Sequence, residues 1–381
     1  MVQHKVVHMT TVHHPMDTRI FHKECASLAS AAYDVTLIAT DHPDLDRVKP
    51  AFKLIKLRKA ANRWVRMTKN SWQAYRLAKQ LEADVYHFHD PELIWVGWLL
   101  KNKSNHVVYD IHEDYETGIR QKKYLPVWAR NTLASLYRIV EKLCINQFEI
   151  VLAEKYYRDK YLRGVDVLNY PILQPMADKP AANAEAEAGG AQQDDAIHLL
   201  YTGNVTLDRG SELHAQIAKL DERIHVHYVG KCAQPIADRV AEAAGEAADR
   251  VTIDGVEKFI ARDAIDAYYA ESRWLAGLAL FPPTEHYAKK ELTKFFEYMN
   301  AGLPIICSNF PSWEAFVNLH GCGIAVDPND GPAVLRAINE LKNDPAKAAR
   351  MGRNGARAVR EELNWVHEEN KLLGFYSQLL T

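Results

Sequence analysis

Nowhere in these 381 residues does an apolar run approach the ~18 residues that a membrane-spanning helix requires, so any membrane contact is expected to be peripheral. Cysteine is sparse. Cys25, Cys144, Cys232, Cys307 and Cys322 form an odd, scattered set with no C-x-x-C pair, which speaks against a disulfide framework and for a reducing compartment. The opening MVQHKVVHMTTVHH reads as a strand and lacks the apolar core of a signal peptide, so a cytoplasmic location is expected. Two nucleotide fingerprints are also missing. Neither G-x-G-x-x-G nor G-x-x-x-x-G-K-[ST] occurs, which counts against hydride transfer and Walker-type ATP hydrolysis. Asp44-x-Asp46 lies beside a basic stretch without helper ligands, so no metal is expected in the reaction.

What is present describes a folded chain. With 48% hydrophobic and 25% charged residues it is ordinary in composition, and its length exceeds what one core usually organises. The net charge of −2 conceals an asymmetry: residues 1–172 carry 26 Lys and Arg against 19 Asp and Glu, and the remainder is acidic. Residues 47–79 hold 11 Lys and Arg and no acidic residue, with Trp64 and Trp72 among them. A charge run is usually a solvated face. Cations interleaved with Trp also suit anionic lipid headgroups, which makes Lys53, Lys56, Arg58, Lys59, Arg63, Trp64 and Arg66 candidate membrane contacts. The acidic second half and the absence of a basic-aromatic recognition module elsewhere count against nucleic acid.

Short β-branched runs alternate with helical stretches twice over. KVVHMTT, DVTLIAT, FKLIKL, DVYHFH, HVVYDIH and EIVLAE are strand candidates in the first half. HLLYTGN, IHVHYVG, VTIDG, LAGLALF, LPIICSN and GIAVD repeat the scheme. Near-continuous apolar runs suit strands covered on both faces, so two doubly wound, Rossmann-like α/β domains are expected. The expected boundaries are 1–172 for the first domain, 173–196 for a flexible Ala/Gly/acidic linker, and 197–381 for the second. A long helical pattern from about residue 345 to 380 is able to pack on more than the second domain.

The densest chemical signal is ELTKFFEYMNAGLPIICSN, where Thr293 can cap a helix carrying Lys294 and Glu297. A helix N-terminus favours a diphosphate, Lys294 adds charge, and a carboxylate one turn in can accept from two vicinal hydroxyls. A solvated surface helix would look the same. In YTGNVTLDRGSEL a strand ends at Gly203-Asn204, and Arg209 opens the next helix, where it can grip phosphate oxygens in a bidentate fork. Three strand ends in the first half carry polar clusters: Asp17, Arg19 and His22; His87, His89, Asp90 and Glu92; Asp110, His112, Glu113 and Asp114. Ligand sites of open α/β sheets lie at such ends.

Across essentially its whole length the chain resembles the retaining glycosyltransferases of family four, which have the GT-B fold: two Rossmann-like domains facing a cleft. The segments that carry the resemblance are TKFFEYMNAGLPII, MTTVHHPMDTRIFHKE, DVYHFHDPELI and LNYP. It implies a sugar transferred from a UDP- or GDP-linked donor, with no cofactor, to a glycan or lipid-linked acceptor, in polysaccharide or glycolipid biosynthesis at the cell surface. By the same resemblance residues 1–172 form an acceptor-binding domain, with His13, Asp17, Arg19, His89 and Asp90 as candidates on the acceptor side, and residues 197–381 a nucleotide-sugar-binding domain. There Glu297 binds the donor ribose and Arg209 touches the diphosphate, while His112 stands near the donor sugar. The sequence departs from the family at Lys289, where members often carry a sugar-binding glutamate, which leaves Glu285, His286 or Glu291 for that contact. It departs again at Asn204, a frequently basic position, so Arg209 and Lys294 share the diphosphate. Val12-His13-His14-Pro15 replaces a glycine-rich loop. Three rival readings stay open: a sugar-nucleotide epimerase of similar architecture, a metal-dependent hydrolase using His87 and His89 with Asp90, Asp110 and His112, and a non-catalytic nucleotide-sugar-binding module.

Overall fold

The computed structural model describes residues 3–112, 114–120, 126–173 and 195–381, so Glu113 and nearly all of the expected linker lie outside the described residues. The chain forms two compact units, Met1–Ile172 with Trp365–Thr381, and Leu173–Asn364.

The first unit is built on strands β1 (Lys5–Met9), β2 (Asp34–Thr40), β3 (Lys53–Leu57), β4 (Val85–Phe88), β5 (His106–Ile111), β6 (Glu149–Leu152) and β7 (Val165–Asp166). They are all parallel, in the order β3-β2-β1-β4-β5-β6-β7. Side-chain alternation sends Val7, Met9, Tyr86, Phe88 and Tyr109 to one core. Val6, Val35, Val85 and Val108 go to the other, where Ile20, Cys25, Leu28, Trp365, Leu372, Phe375 and Tyr376 cover them. The latter residues come from a π-helical run, Thr18–Cys25, that continues as Ala26–Ser30, and from the helix Trp365–Leu379. The final helix is tied to this unit. Trp365 donates its backbone N–H to Pro171 O and its indole N–H to Ser27 Oγ, and Glu368 accepts from Leu168 N.

The second unit repeats the plan with β8 (Ile197–Thr202), β9 (Ile224–Cys232), β10 (Val251–Val256), β11 (Trp274–Ala279), β12 (Ile305–Ser308) and β13 (Gly323–Val326). The order is β10-β9-β8-β11-β12-β13, again all parallel. Strand order reverses between β1 and β4 in the first unit and between β8 and β11 in the second. Those reversals open ligand crevices at the carboxyl ends of the strands. Every strand expected from the sequence is present. The two-residue β7 has no sequence signature, and the C-terminal helical stretch is two helices, Pro345–Glu361 and Trp365–Leu379. Between them the buried Asn364 amide donates to Val359 O and Arg360 O, satisfying carbonyls at the end of the first helix.

Candidate functional site

In the second unit the loop after β8 is shaped by glycine. Gly210 has φ +76°, and a Cβ there would stand 1.9 Å from Leu280 O, so no other residue fits. This close approach locks the turn Leu207–Arg209 against the end of β11 and brings the Arg209 guanidinium back over Gly203. Arg209 Nε donates to Tyr287 Oη at 3.3 Å, and Tyr287 in turn donates to Asp208 at 2.8 Å. Asn204 contributes its carbonyl, which accepts from Tyr201 Oη at 2.8 Å.

Lys294 is turned inward rather than standing free at a helix start. Its ammonium donates to Thr202 O at 3.1 Å and lies 3.6 Å from the centre of the Tyr201 ring and 4.9 Å from that of Phe281. Burial, with the Arg209 charge next, pulls its pKa well below the usual lysine range. Thr293 is not the expected cap. It is the first residue of the helix Thr293–Asn300, and Leu292 takes the cap position with no side-chain hydrogen bond. Glu297 lies one turn in and accepts from Tyr269 Oη at 3.0 Å and from Arg262 Nη1. Tyr269 also meets Thr202 Oγ1 at 2.7 Å, so the carboxylate is braced against the end of β8. Arg262 and Tyr269 escaped the sequence reading because nothing local to RDAIDAYYA links them to a glutamate 28 or more residues on. The side chains of Glu285 and His286 lie outside the described residues.

The first unit gathers its polar residues at the β1/β4 reversal. Asp90 is fully buried and accepts from Thr10 Oγ1, Thr11 N and Val12 N, and His13 Nδ1 lies 2.7 Å away. Burial alone would raise its pKa, but His13 and the loop N–H groups outweigh that and hold it near 2. His13 stacks on His112 with ring centres 4.4 Å apart. Burial lowers the His112 pKa to about 3, so the ring is neutral at neutral pH, and its Nε2 has no hydrogen-bond partner among the described residues.

Asp17, Arg19, His89 and Asp90 were expected to face an acceptor, and their surroundings give them other work. Asp17 caps the Thr18–Cys25 run by accepting from Arg19 N and Ile20 N. Arg19 is 2% exposed and grips Asp110 with two bonds of 2.7 and 2.8 Å, with a third to Val167 O. His89, also 2% exposed, meets Asp110 through Nδ1 at 3.1 Å. Arg19, His89 and Asp90 are buried, whereas His13 and Asp17 are half-buried. Glu24, His87, His89 and Asp110 can each offer a metal-ligand atom within 4.8 Å of the others, as can the more exposed His14, His42 and Asp44.

The basic stretch is less uniform in space than in sequence. Lys53 pairs with Asp34, Lys56 with Asp41 and Asp46, and Arg66 with Glu92. Arg58, Lys59 and Arg63 are exposed, and Trp64 is 75% exposed. Trp72 is exposed too, on the helix Ser71–Leu81. The sequence reading did not single out Trp98 on the helix Ile94–Leu100 or Trp128, Leu136, Ile139 and Leu143 on Val127–Ile145, which are also exposed.

Comparison with known proteins bears on both units. Residues 18–163 match the model for Glycosyltransferase Family 4, and residues 257–358 match that for Glycosyl transferases group 1. No curated protein matches the chain. Among solved structures, a sucrose-phosphate synthase from Thermosynechococcus elongatus superposes with TM-score 0.74 at 18% identity over 99% of both chains. A glycosyltransferase from Rickettsia africae gives 0.72 at 14% identity, covering 100% of this chain and 99% of its own. Anabaena HepE, in complex with UDP and glucose, gives 0.70 at 12% identity over 99% of this chain and 100% of its own. With two six-or-more-stranded parallel sheets of the same strand order and both family models matched in their expected halves, this chain belongs to the family-four glycosyltransferases of GT-B fold.

Proposed function

We propose that the enzyme is a retaining, metal-independent glycosyltransferase acting on a UDP- or GDP-linked sugar, with a glycan or lipid-linked acceptor, in the making of cell-surface polysaccharide or glycolipid. One observation carries the reading. Two cations, Arg209 and Lys294, converge on the carboxyl end of β8, and a braced carboxylate, Glu297, lies one helical turn away. That spacing matches a nucleoside diphosphate, with charge for the phosphates and an acceptor for the ribose hydroxyls. Likeness to a fold solved with UDP and with UDP-glucose favours a uridine donor.

As the bond from the anomeric carbon to the diphosphate oxygen breaks, negative charge grows on the leaving group. Arg209 and Lys294 stabilise it where a metal would otherwise serve. The acceptor oxygen bonds to the same face of the sugar, and its proton passes to the departing phosphate oxygen. His112, with a pKa near 3, is too weak a base to take that proton at neutral pH and instead positions the donor sugar as a neutral ring. The exposed apolar and cationic residues 58–143 support a peripheral contact with anionic lipid, from which a lipid-linked acceptor would be drawn.

The direct test is thermal shift of the purified protein against UDP, GDP, ADP and their sugar conjugates, repeated with Glu297→Ala. Saturating donor nucleotide is expected to raise the midpoint. The variant is expected to lose about 1–3 kcal/mol of nucleotide affinity with its fold intact. Unchanged affinity in the variant would move the donor site elsewhere.

A further inference from the structure

Behind His112, and independent of the donor site, lies a group of side chains for which sugar transfer has no use. His8 in β1, His87 and His89 at β4, and Glu24 at the end of the π-helical run are all fully or almost fully buried. His8 Nδ1, His87 Nε2 and His89 Nε2 each lie 3.9 Å from the same atom, Glu24 Oε2. His8 Nδ1 and His89 Nε2 are hydrogen-bonded to each other at 3.0 Å, and a cation would displace the proton between them. Among the described residues neither Glu24 oxygen has a hydrogen-bond partner, and neither does His87 Nε2. Arg19 Nη2 lies 3.1 Å from Oε1, on the far side of the carboxylate, as an ion-pair contact.

The outer ring nitrogens, by contrast, are all engaged. His89 Nδ1 meets Asp110 Oδ2 at 3.1 Å, His87 Nδ1 meets Tyr376 Oη at 2.8 Å, and His8 Nε2 is 3.4 Å from the same hydroxyl. An outer partner on each imidazole fixes its tautomer and turns the opposite lone pair inward, as around ligated metals. We infer that His8, His87, His89 and Glu24 form a buried site for one zinc-class divalent cation, with Asp110 and Tyr376 orienting the ligands.

The spacing suits a cation. Three separations of 3.9 Å from Glu24 Oε2 and one of 3.0 Å between His8 Nδ1 and His89 Nε2 bracket the roughly 3.3 Å between ligand atoms around tetrahedral zinc with bonds of about 2.0–2.1 Å. Asp110 is already committed to Arg19 through both oxygens, so His8 completes the set. The cation would pin β1, β4, the Thr18–Cys25 run and, through Tyr376, the last helix into one body. The Asp110 carboxylate alone would separate it from His112, whose Nε2 is 3.8 Å away.

The experiment is metal analysis of the full chain purified without chelators, followed by unfolding, chelation and refolding with and without zinc. About one zinc per chain is expected, with a melting midpoint at least about 5 °C lower after metal-free refolding and restored by zinc alone. Refolding with cobalt should give the intense visible absorption of a four-coordinate nitrogen–oxygen site. Glu24→Gln and His87→Gln should retain less than a fifth of the metal. Because the wild-type measurements stand alone, a variant that fails to fold leaves the test intact. Metal-free wild-type protein that neither gains stability from zinc nor yields the cobalt spectrum would overturn the inference and leave a proton-sharing histidine cluster.

Discussion

Replacing Lys294 by methionine is expected to stabilise the nucleotide-free second unit while removing most turnover. The ammonium is buried and, among the described residues, has no carboxylate in ion-pair contact; it holds one hydrogen bond to Thr202 O and two aromatic faces. Withdrawing such an ion from water costs several kcal/mol. The charged hydrogen bond returns about 1.5–3 kcal/mol and the desolvated aromatic contacts about 2 kcal/mol, so a deficit remains. Methionine keeps most of the methylene packing, and the gain should be about 1–3 kcal/mol, or roughly 3–8 °C in the nucleotide-sensitive calorimetric transition. The pH dependence provides a second reading. Burial holds the folded-state pKa of Lys294 well below its unfolded value of about 10.5. Between those two values the unfolded chain binds more protons, so this group makes stability rise with pH by about 1.4 kcal/mol per unit. Below the folded pKa both states are protonated and the whole penalty is present. The K294M variant should lose that slope, and its turnover should fall about 100-fold or more. A variant more than about 1 kcal/mol less stable than wild type would refute the reasoning, because the ammonium would then be a structural tie.

Gly210→Ala should destabilise the second unit by more than about 3 kcal/mol, since the added carbon meets Leu280 O at 1.9 Å and φ is +76°; urea unfolding checks it, and a loss under 1 kcal/mol would mean the turn can open. Arg209→Ala should lower kcat more than it raises KM, read by steady-state kinetics, because leaving-group charge is greatest in the transition state. Brief EDTA treatment should leave wild-type turnover largely intact, whereas an immediate loss reversed at once by magnesium or manganese would place a metal at the reacting centre. Sedimentation with vesicles should rise with anionic lipid and fall with salt. Converting Arg58, Lys59 and Arg63 to Gln should weaken it more than converting Lys53 and Lys56, whose charges are already paired.

The sheets were legible because parallel strands covered on both faces leave long apolar runs, as in DVTLIAT, and such runs depend on few distant choices. What distant contacts decide was not. That Lys294 points inward follows from the Thr202 carbonyl 92 residues earlier, and a helical period cannot register it. Arg66 counted as a free cation until Glu92 met it in space. Asn364, which ends one helix, and Thr293, which misses the cap by one position, show boundaries set by local hydrogen bonds rather than by pattern. One signal was available and passed over. In KVVHM the histidine interrupts an apolar strand, and alternation places His8 on the face of Val6, where the histidines of HFH also fall.

The buried cations Arg19 and Lys294 are handled in opposite ways, and on the proposed function the contrast bears on where a ligand enters. Arg19 is as buried as Lys294, yet it is matched by Asp110 in a two-bond grip and by Glu24 beside it. Removing either partner would strand a charge, which is the signature of a finished internal pair. Lys294 has the same burial without the partner, and Arg209 next to it deepens the excess of positive charge. On the proposed function, an anion that reaches the end of β8 relieves the imbalance, and a diphosphate carries charge enough for both cations. Its departure as a product would restore the imbalance, so strain in the empty unit would favour binding of the next donor.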